Sequence, residues 1–291
     1  MLTPLHANVL FDWRRAGNVS AQIAYSTRSV NQRWHMYGTV LPRRRAYPGA
    51  SLSTVPHCFR FFFFNLFSSS SRPARYYRVR YALEDGTQLH LLFLDACNLV
   101  CYAGHSGKAD YGTADCRDAG TALTRLEQLQ WLKDRLGEAD AAEEAGARVW
   151  RVLVAHWPLV SAGNHGDSPS MQETLLPLVA RHRVDAVFAG HDHALQHLVA
   201  PAEPEDDGDI GDLGGGDADA GALPPPQVFV SGAGGYKLDP PLRPHANLVA
   251  GFLTHGFLTL DVTSAQLGVR FYNTDRSTTA AIYAATVARD A

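Results

Sequence analysis

The sequence predicts an α/β fold in which helices cover a sheet of buried strands. Residues 149–155 and 184–189 consist almost entirely of apolar side chains, which is the composition of strands buried on both faces. Between them, residues 171–183 (MQETLLPLVARHR) have the apolar spacing of a helix. A strand, a helix and a second strand in this order are typical of a sheet with helices packed against it.

The remaining elements follow from hydrophobic spacing along the chain. Residues 76–83 and 89–94 predict two strands joined by a hairpin turn at Glu84-Asp85-Gly86. Residues 121–136 place leucines at steps of three and four, which predicts an amphipathic helix. Three further strands are predicted at Gln227–Ser231, Phe257–Val262 and Leu267–Tyr272.

The composition bounds the class of protein. The chain has 291 residues, of which 46% are hydrophobic, so it can bury a substantial core. The net charge of −3 gives no reason to expect nucleic acid or a membrane surface as partner. No segment approaches the ~18 consecutive apolar residues of a membrane span. The first residues, MLTPLHANVLFDW, lack the three regions of a signal peptide, so no export signal is predicted.

The four cysteines do not form a paired zinc motif. They lie at irregular spacing in the first half of the chain, at Cys58, Cys97, Cys101 and Cys116. They are too few for a disulfide scaffold, and one or two disulfide bonds remain open.

Two segments depart from the α/β pattern. Residues 201–226 hold eight acidic residues, no basic ones and many glycines and prolines. Because such a tract buries too little apolar surface to offset its ordering entropy, we expect a disordered surface loop. It lacks the spacing of an EF-hand, so a calcium site is not predicted there. Residues 37–72 run from an arginine triplet through RFFFFNLF to four serines, without helical or strand periodicity.

Histidines supply the candidate chemistry, because imidazole is the commonest metal ligand in proteins. His191 and His193 lie in the turn GHDH, where the small Gly190 lets the backbone bend, and His156 ends the strand 149–155. Open α/β sheets bind their ligands at the carboxyl ends of strands. A lone loop histidine is more often a solvated surface residue. Three of them at two strand ends favour a metal site instead.

Several motifs, in order along the chain, resemble the tartrate-resistant (purple) acid phosphatases, which are calcineurin-like metallophosphoesterases. The motifs are QLQWLKDRL, VLVAHWPLVSAGNHG, LLPLVARHRVDAVFAGHDHALQHL and VFVSGAGG, together with GNVSAQIAYS at residues 17–26. The resemblance implies a β-sandwich flanked by helices in the order αββα. It also implies hydrolysis of phosphate monoesters at a centre of two metal ions, of iron, zinc or manganese.

The resemblance also implies roles for individual histidines. His156 and His191 would bind one metal of the pair, and His193 would bind the other. His165, in GNHG, matches a histidine that binds phosphate or protonates the leaving group. The alternative for His165 is a solvated loop residue.

The chain departs from the family pattern in its first half. There the family supplies two aspartates, a tyrosine and an asparagine from motifs such as Gly-Asp-x-Gly and Gly-Asn-His-Asp, and none of these motifs occurs in the first half of this chain. We therefore expect the N-terminal half of the fold to be missing, at most one metal ion to bind, and the strands 149–155 and 184–189 to have bare edges. Cys101 matches a family disulfide cysteine, but the partner position near Ser170 and Met171 holds no cysteine.

The resemblance divides the chain into segments. RWHM (33–36) would join PARYYRVRY (73–81) directly in relatives, so residues 37–72 are predicted to be an insertion. The partial domain would then comprise residues 17–36 and 73–291, with residues 1–16 outside the family. Our hypothesis is a truncated and interrupted copy, from a disrupted gene or a faulty gene model.

The sequence thus predicts an acid phosphatase-like hydrolase with impaired activity. The alternative is a catalytically inactive relative, either a binding protein or the product of a disrupted gene. Substrates would be small phosphate esters or phosphorylated proteins, and neither nucleic acid nor a membrane span is expected. Family members are typically secreted or lysosomal, and the compartment and oligomeric state stay open. Zinc binding is expected to weaken below pH ~6.5, where a typical imidazole gains a proton.

Overall fold

The fold consists of two β-sheets packed face to face, with helices on one outer face. The computed structural model describes residues 22–23, 75–101, 120–201, 225–234, 237–238, 240–274 and 280–289. The larger sheet contains β2 (Tyr77–Ala82), β3 (Gln88–Phe93), β4 (Val149–Val154), β5 (Ala186–Ala189), β6 (Leu195–Val199), β7 (Gln227–Ser231) and β8 (Leu248–Phe252). The smaller sheet contains β1 (Gln22–Ile23), β9 (Gly256–Val262), β10 (Gln266–Asn273) and β11 (Ala281–Ala288). The helices are α1 (Ala96–Cys101), α2 (Ala122–Glu144) and α3 (Pro169–Arg181).

The strand order of the larger sheet is β2-β3-β4-β5-β7-β6-β8. Its centre is parallel, since β4 pairs with β3 and β5, and β5 pairs also with β7. The pairs β2–β3, β6–β7 and β6–β8 are antiparallel. The expectation that the strands 149–155 and 184–189 have bare edges is therefore wrong, because β4 and β5 each have a hydrogen-bonded neighbour on both sides.

Two hydrophobic clusters hold the layers together. One lies between the sheets, where Trp150 and Phe188 of the larger sheet pack with Leu260 and Phe271 of the smaller one. The other lies between the larger sheet and the helices, which contribute side chains from α1, α2 and α3. The predicted β-sandwich with helices is confirmed. The described residues place all their helices on one side, and the second helical layer of an αββα arrangement is not among them.

The long helix α2 buries only part of the stripe that its leucines predict. Leu123 and Leu126 are exposed, at 64% and 60%, whereas Leu132 and Leu136 are fully buried. The buried stripe begins at Gln128, whose amide accepts a hydrogen bond from the backbone N–H of Asp95 at 2.7 Å and donates one to its carbonyl at 3.2 Å. Gln128, a polar residue with satisfied hydrogen bonds, thus occupies the core position one turn before Leu132.

The described cysteines are oxidised. Cys97 and Cys101, both on α1, take part in disulfide bonds. Cys97 is 2% exposed, and the indole N–H of Trp157 lies 3.5 Å from its Sγ. The possibility of disulfide bonds left open by the cysteine count is confirmed for these two residues.

Several predicted segments lie outside the described residues. They include residues 1–16, the predicted insertion at 37–72 and most of the acidic tract. Of the helices that are described, none combines the length and apolar character needed to cross a bilayer.

Removal of residues 203–224 should leave the fold unchanged. Val199 and Gln227 are direct partners across β6 and β7, and the N–H of Ala200 donates to the carbonyl of Pro226 at 2.9 Å. The deletion would leave a connection of the short length found in ordinary β-hairpins. We expect an unchanged melting temperature by circular dichroism. A decrease of several degrees would show that the acidic tract packs on the fold.

Candidate metal and phosphate site

The candidate site lies where two adjacent parallel strands end. His156 follows β4 by two residues, and His191 follows β5 by two residues. Val154 and Phe188 are register partners, and the N–H of Gly190 donates to the carbonyl of His156 at 3.0 Å. The parallel pairing therefore brings the two predicted ligand positions to the same edge of the sheet, as expected for an α/β fold.

The imidazoles of His156 and His191 are in direct contact. Nδ1 of His191 lies 3.1 Å from Nε2 of His156, with the ring planes at 79°. Two nitrogens bound to one metal at 2.0–2.1 Å would be about 2.9 Å apart at a right angle and about 3.4 Å apart at a tetrahedral angle. The observed separation falls between these values, so the pair has the spacing of two ligands of a single ion.

His191 has an unusual backbone conformation. Its φ is +63°, in the left-handed region that residues other than glycine seldom adopt. The preceding Gly190, which the sequence suggests as the flexible position, is not among the described glycines with positive φ. Non-glycine residues held in this region cost about 1–3 kcal/mol and cluster at functional sites. The turn thus directs Nδ1 of His191 toward His156 at an energetic cost.

Aromatic packing fixes the ring of His191. The indole of Trp157, which is 3% exposed, lies with its ring centroid 3.5 Å from that of His191. The ring centroid of His165 lies 4.2 Å from that of His191. His165 itself is exposed, whereas His156, His191 and His193 are partly buried. The arrangement leaves His165 accessible to a ligand that contacts the buried pair.

The environment keeps the buried imidazoles neutral. Burial, together with the nearby imidazoles of His193 and His165, lowers the pKa of His156 to about 4. Burial also lowers the pKa of His191, and His156 and His165 add to this effect. A lowered histidine pKa means that protons compete for the nitrogens only in more acidic solution. The expected loss of zinc binding near pH 6.5 therefore moves to lower pH.

The third predicted ligand does not complete a site with the other two. Within the described part of the chain, no group of three or more His, Cys, Asp or Glu side chains is placed to hold a metal ion. The structure brings His156 and His191 into contact, and His193 is close enough for its charge to lower the pKa of both. The donor set that fits a metal ion here is thus two neutral imidazoles.

Sequence reasoning misses the residues that hold the loop of His165. Asp192 is fully buried, and its carboxylate accepts hydrogen bonds from the N–H of His165 at 2.9 Å and from Oγ of Ser161 at 2.5 Å. Gln196, also fully buried, accepts a hydrogen bond from the N–H of Ala162 at 2.8 Å. The one sequence feature that could have pointed to Asp192 is its position between the two histidines of the GHDH turn. His197, although close to His191 in sequence, is not part of the group formed by His156, His165 and His191. Its two ring nitrogens contact Tyr283 and Gln227, each at 2.7 Å, so its ring faces away from that group.

Comparisons with known proteins find similarity over the part of the chain that contains these histidines. Residues 58–195, which include His156, His165, His191 and His193, match the calcineurin-like phosphoesterase family. The chain is similar to tartrate-resistant acid phosphatase type 5 of Rattus norvegicus, with 26% identity over 266 residues, and of Mus musculus, with 28% identity over 239 residues. These alignments include 88% and 81% of this chain.

The relatives are considerably longer than the aligned region. The chain spans 59% of the rat protein and 50% of the mouse protein. Among solved structures, the purple acid phosphatase from yellow lupin seeds has a similar fold, with a TM-score of 0.50 and 16% identity. That similarity covers 77% of this chain and 34% of the lupin chain. The metallophosphoesterase and purple acid phosphatase families, to which the chain is similar, use divalent or trivalent metal ions.

Proposed function

We propose that this chain hydrolyses phosphate monoesters at the cluster of His156, His165 and His191. The observation that carries the proposal is the 3.1 Å contact between the nitrogens of His156 and His191, at the carboxyl ends of adjacent parallel strands. The similarity to acid phosphatases supports the reaction class. Small phosphate esters and phosphorylated proteins are the proposed substrates.

In this proposal, His156 and His191 hold one divalent or trivalent ion of iron, zinc or manganese. Such an ion, when bound, polarises a phosphate oxygen and lowers the pKa of a bound water. Both imidazoles are neutral at mildly acidic pH because their pKa values are lowered, so both keep a lone pair for the ion. His193 remains a candidate ligand for a second ion, although it completes no three-ligand group within the described residues.

His165 is proposed to bind the phosphate or to give a proton to the leaving oxygen. Its ring is exposed and lies 4.2 Å from that of His191, so a phosphate contacting the buried pair would reach it. An imidazole with a proton donates a hydrogen bond to a phosphate oxygen and can transfer that proton as a general acid. The indole of Trp157 packs against the ring of His191, with the ring centroids 3.5 Å apart, and so restricts the movement of this ligand.

Turnover should be slow compared with that of an intact site. The described residues bring no carboxylate into the ligand set, so the charge of a bound ion stays largely uncompensated. Loss of even one outer partner of a metal ligand typically costs about 10–100-fold in metal affinity or activity. This observation also favours the second candidate function, a relative that binds phosphate esters without hydrolysing them.

Hydrolysis of p-nitrophenyl phosphate at mildly acidic pH tests the proposal. We expect slow hydrolysis that depends on added Zn²⁺, Mn²⁺ or iron and that is lost in His191→Ala, because this change removes one of two ligands. His197→Ala serves as the control and should retain the activity. Equal hydrolysis in wild type and His191→Ala would refute the assigned site. Metal-dependent binding of inorganic phosphate without hydrolysis would establish the second candidate instead.

A further inference from the structure

Asp192 joins two loops of the site although its side chain is fully buried. Its Oδ1 accepts a hydrogen bond from the backbone N–H of His165 at 2.9 Å, and its Oδ2 accepts one from Oγ of Ser161 at 2.5 Å. The turn GHDH and the loop that begins at Ser161 are thus connected through one carboxylate. Because one buried side chain accepts hydrogen bonds from both loops, this connection should be rigid.

The hydroxyl proton of Ser161 is directed toward Asp192. The Ser161 oxygen accepts hydrogen bonds from the N–H of Gly163 and from the amide of Gln196, both at 3.0 Å. A hydroxyl has two acceptor lone pairs and one proton. Since both lone pairs are used, the proton goes to an acceptor, and the carboxylate at 2.5 Å lies nearer than the Gln196 oxygen at 3.4 Å.

Two glycines allow the chain to approach Asp192 closely. A Cβ atom at Gly163 would lie 2.3 Å from Cγ of Asp192, and one at Gly232 would lie 2.0 Å from its carbonyl oxygen. Both distances are too short for any side chain, so these positions require glycine. Asp192 is therefore the point where three sequence motifs meet, namely GHDH, SAGNHG and VSGAGG.

We propose that Asp192 is a positioning residue that sets His165 against His191. The carboxylate holds the N–H of His165, and the turn that carries Asp192 also carries His191. One side chain thereby fixes the 4.2 Å separation of the two rings. This inference rests on the proposed function, because the separation matters only if a phosphate is bound between His165 and the buried pair.

A measurement on the metal-free full chain separates this role from the proposed catalysis. The ring protons of His165 and His191 should show a nuclear Overhauser effect in the wild type, which should vanish in Asp192→Ala and weaken in Asp192→Asn. The amide of asparagine keeps an acceptor for the N–H of His165 but presents hydrogens to a Ser161 oxygen whose lone pairs are occupied. Asp167→Asn is the matched control, since Asp167 is exposed and holds the same loop through the N–H of Ser161 at 2.9 Å. It should leave the effect intact.

Steady-state kinetics provide a second test of the positioning role. Asp192→Ala should lower kcat/KM for p-nitrophenyl phosphate about 100-fold and Asp192→Asn about tenfold, within the range found for partners that orient a catalytic group. In a His165→Ala background, Asp192→Ala should have little further effect, because the two residues act as one unit. A merely structural role would instead give multiplied losses in the double variant.

Each outcome bears on one proposal or the other. A retained ring contact in Asp192→Ala overturns the positioning role, whatever the activity. A lost contact in that variant, together with a wild-type chain that has no phosphatase activity, keeps the positioning role and removes the proposed function. If Asp192→Ala fails to fold, the test depends on Asp192→Asn. If Asp192→Asn then equals the wild type in both the nuclear Overhauser effect and kcat/KM, the inference is overturned.

Discussion

Replacement of His191 by alanine should lower the affinity for Zn²⁺ by about 100-fold or more. The structure places Nδ1 of His191 at 3.1 Å from Nε2 of His156, the spacing of two ligands of one ion. Loss of an outer partner of a ligand already costs about 10–100-fold, and loss of the ligand itself should cost at least as much. His156→Ala should have a similar effect. Isothermal titration of the metal-free protein measures both affinities.

The control for this prediction lies on the same segment of chain. His197 is close to His191 in sequence, but its ring contacts Tyr283 and Gln227. His197→Ala should therefore leave zinc affinity unchanged in the folded protein. Equal affinity in wild type and His191→Ala would mean that the GHDH turn is only a surface loop in this chain.

The pH dependence of zinc binding gives an independent check. The pKa of His156 is lowered to about 4 and that of His191 is also lowered, so both rings are mostly neutral about one pH unit above that value. An ordinary imidazole, with a pKa near 6.5, would be mostly protonated there. We therefore expect zinc affinity to change little between about pH 7 and about pH 5 and to fall as the pH approaches about 4. A steep fall already near pH 6.5 would show that the pair is exposed to solvent.

The sequence predicts the central strands well because their residues are apolar throughout. The strand at Gln227–Ser231 is confirmed at both ends, and the predicted Val149–Ala155 differs from β4 by one residue. The strand β6 is not predicted, because it contains Gln196 and His197, which are polar yet buried. Their hydrogen-bond partners include Ser161 and Tyr283, which are 35 and 86 residues away in sequence, so local periodicity holds no trace of them.

In the site, too, the features that depend on local sequence can be predicted, and the contacts between residues far apart in the chain cannot. His156 and His191 can be predicted to lie at one edge, because each follows an apolar strand and parallel strands end at one edge of a sheet. The connection of Asp192 to the loop of His165 cannot, because it depends on a backbone N–H that is 27 residues away and on the close approach of Gly163 and Gly232. The prediction of bare edges failed for a related reason. Pairing partners of a buried strand are set by topology, and the neighbours β3 and β7 come from within this chain.

A buried group of charged side chains lies near the amino ends of β4 and β5, opposite the histidines. Local sequence patterns do not predict this group either. Arg151, on the central strand β4, is 1% exposed and pairs with Asp140 at 2.9 Å and with Glu143 at 2.8 Å, both on α2. Its backbone N–H donates to Asp185 at 2.7 Å, and Asp185 in turn accepts from Arg289. Through these contacts the charges connect α2, β4 and the residue that follows β11. A single arginine in an otherwise apolar strand is thus a structural link between layers.

Replacement of Arg151 by alanine should lower the free energy of unfolding by about 3 kcal/mol. Breaking a buried pair by removal of one partner typically costs about 3–5 kcal/mol, since the remaining charge stays uncompensated. We expect the lower end of that range because Asp140 and Glu143 are 36% and 25% exposed and Glu143 also pairs with Arg289. Urea denaturation monitored by circular dichroism measures the change.

Two further variants separate charge from packing in this prediction. Arg151→Met keeps most of the buried stem and removes only the charge, so it should be more stable than Arg151→Ala and less stable than the wild type. Arg270→Ala removes the partner of Asp261 on the smaller sheet, where Arg270 is 45% exposed, and should cost no more than about 1 kcal/mol. If Arg151→Ala proved as mild as Arg270→Ala, the buried charges would add nothing beyond an ordinary surface pair. The connection between α2 and β4 would then depend on the contacts of Leu132, Leu136 and Leu153 in the helix-facing core alone.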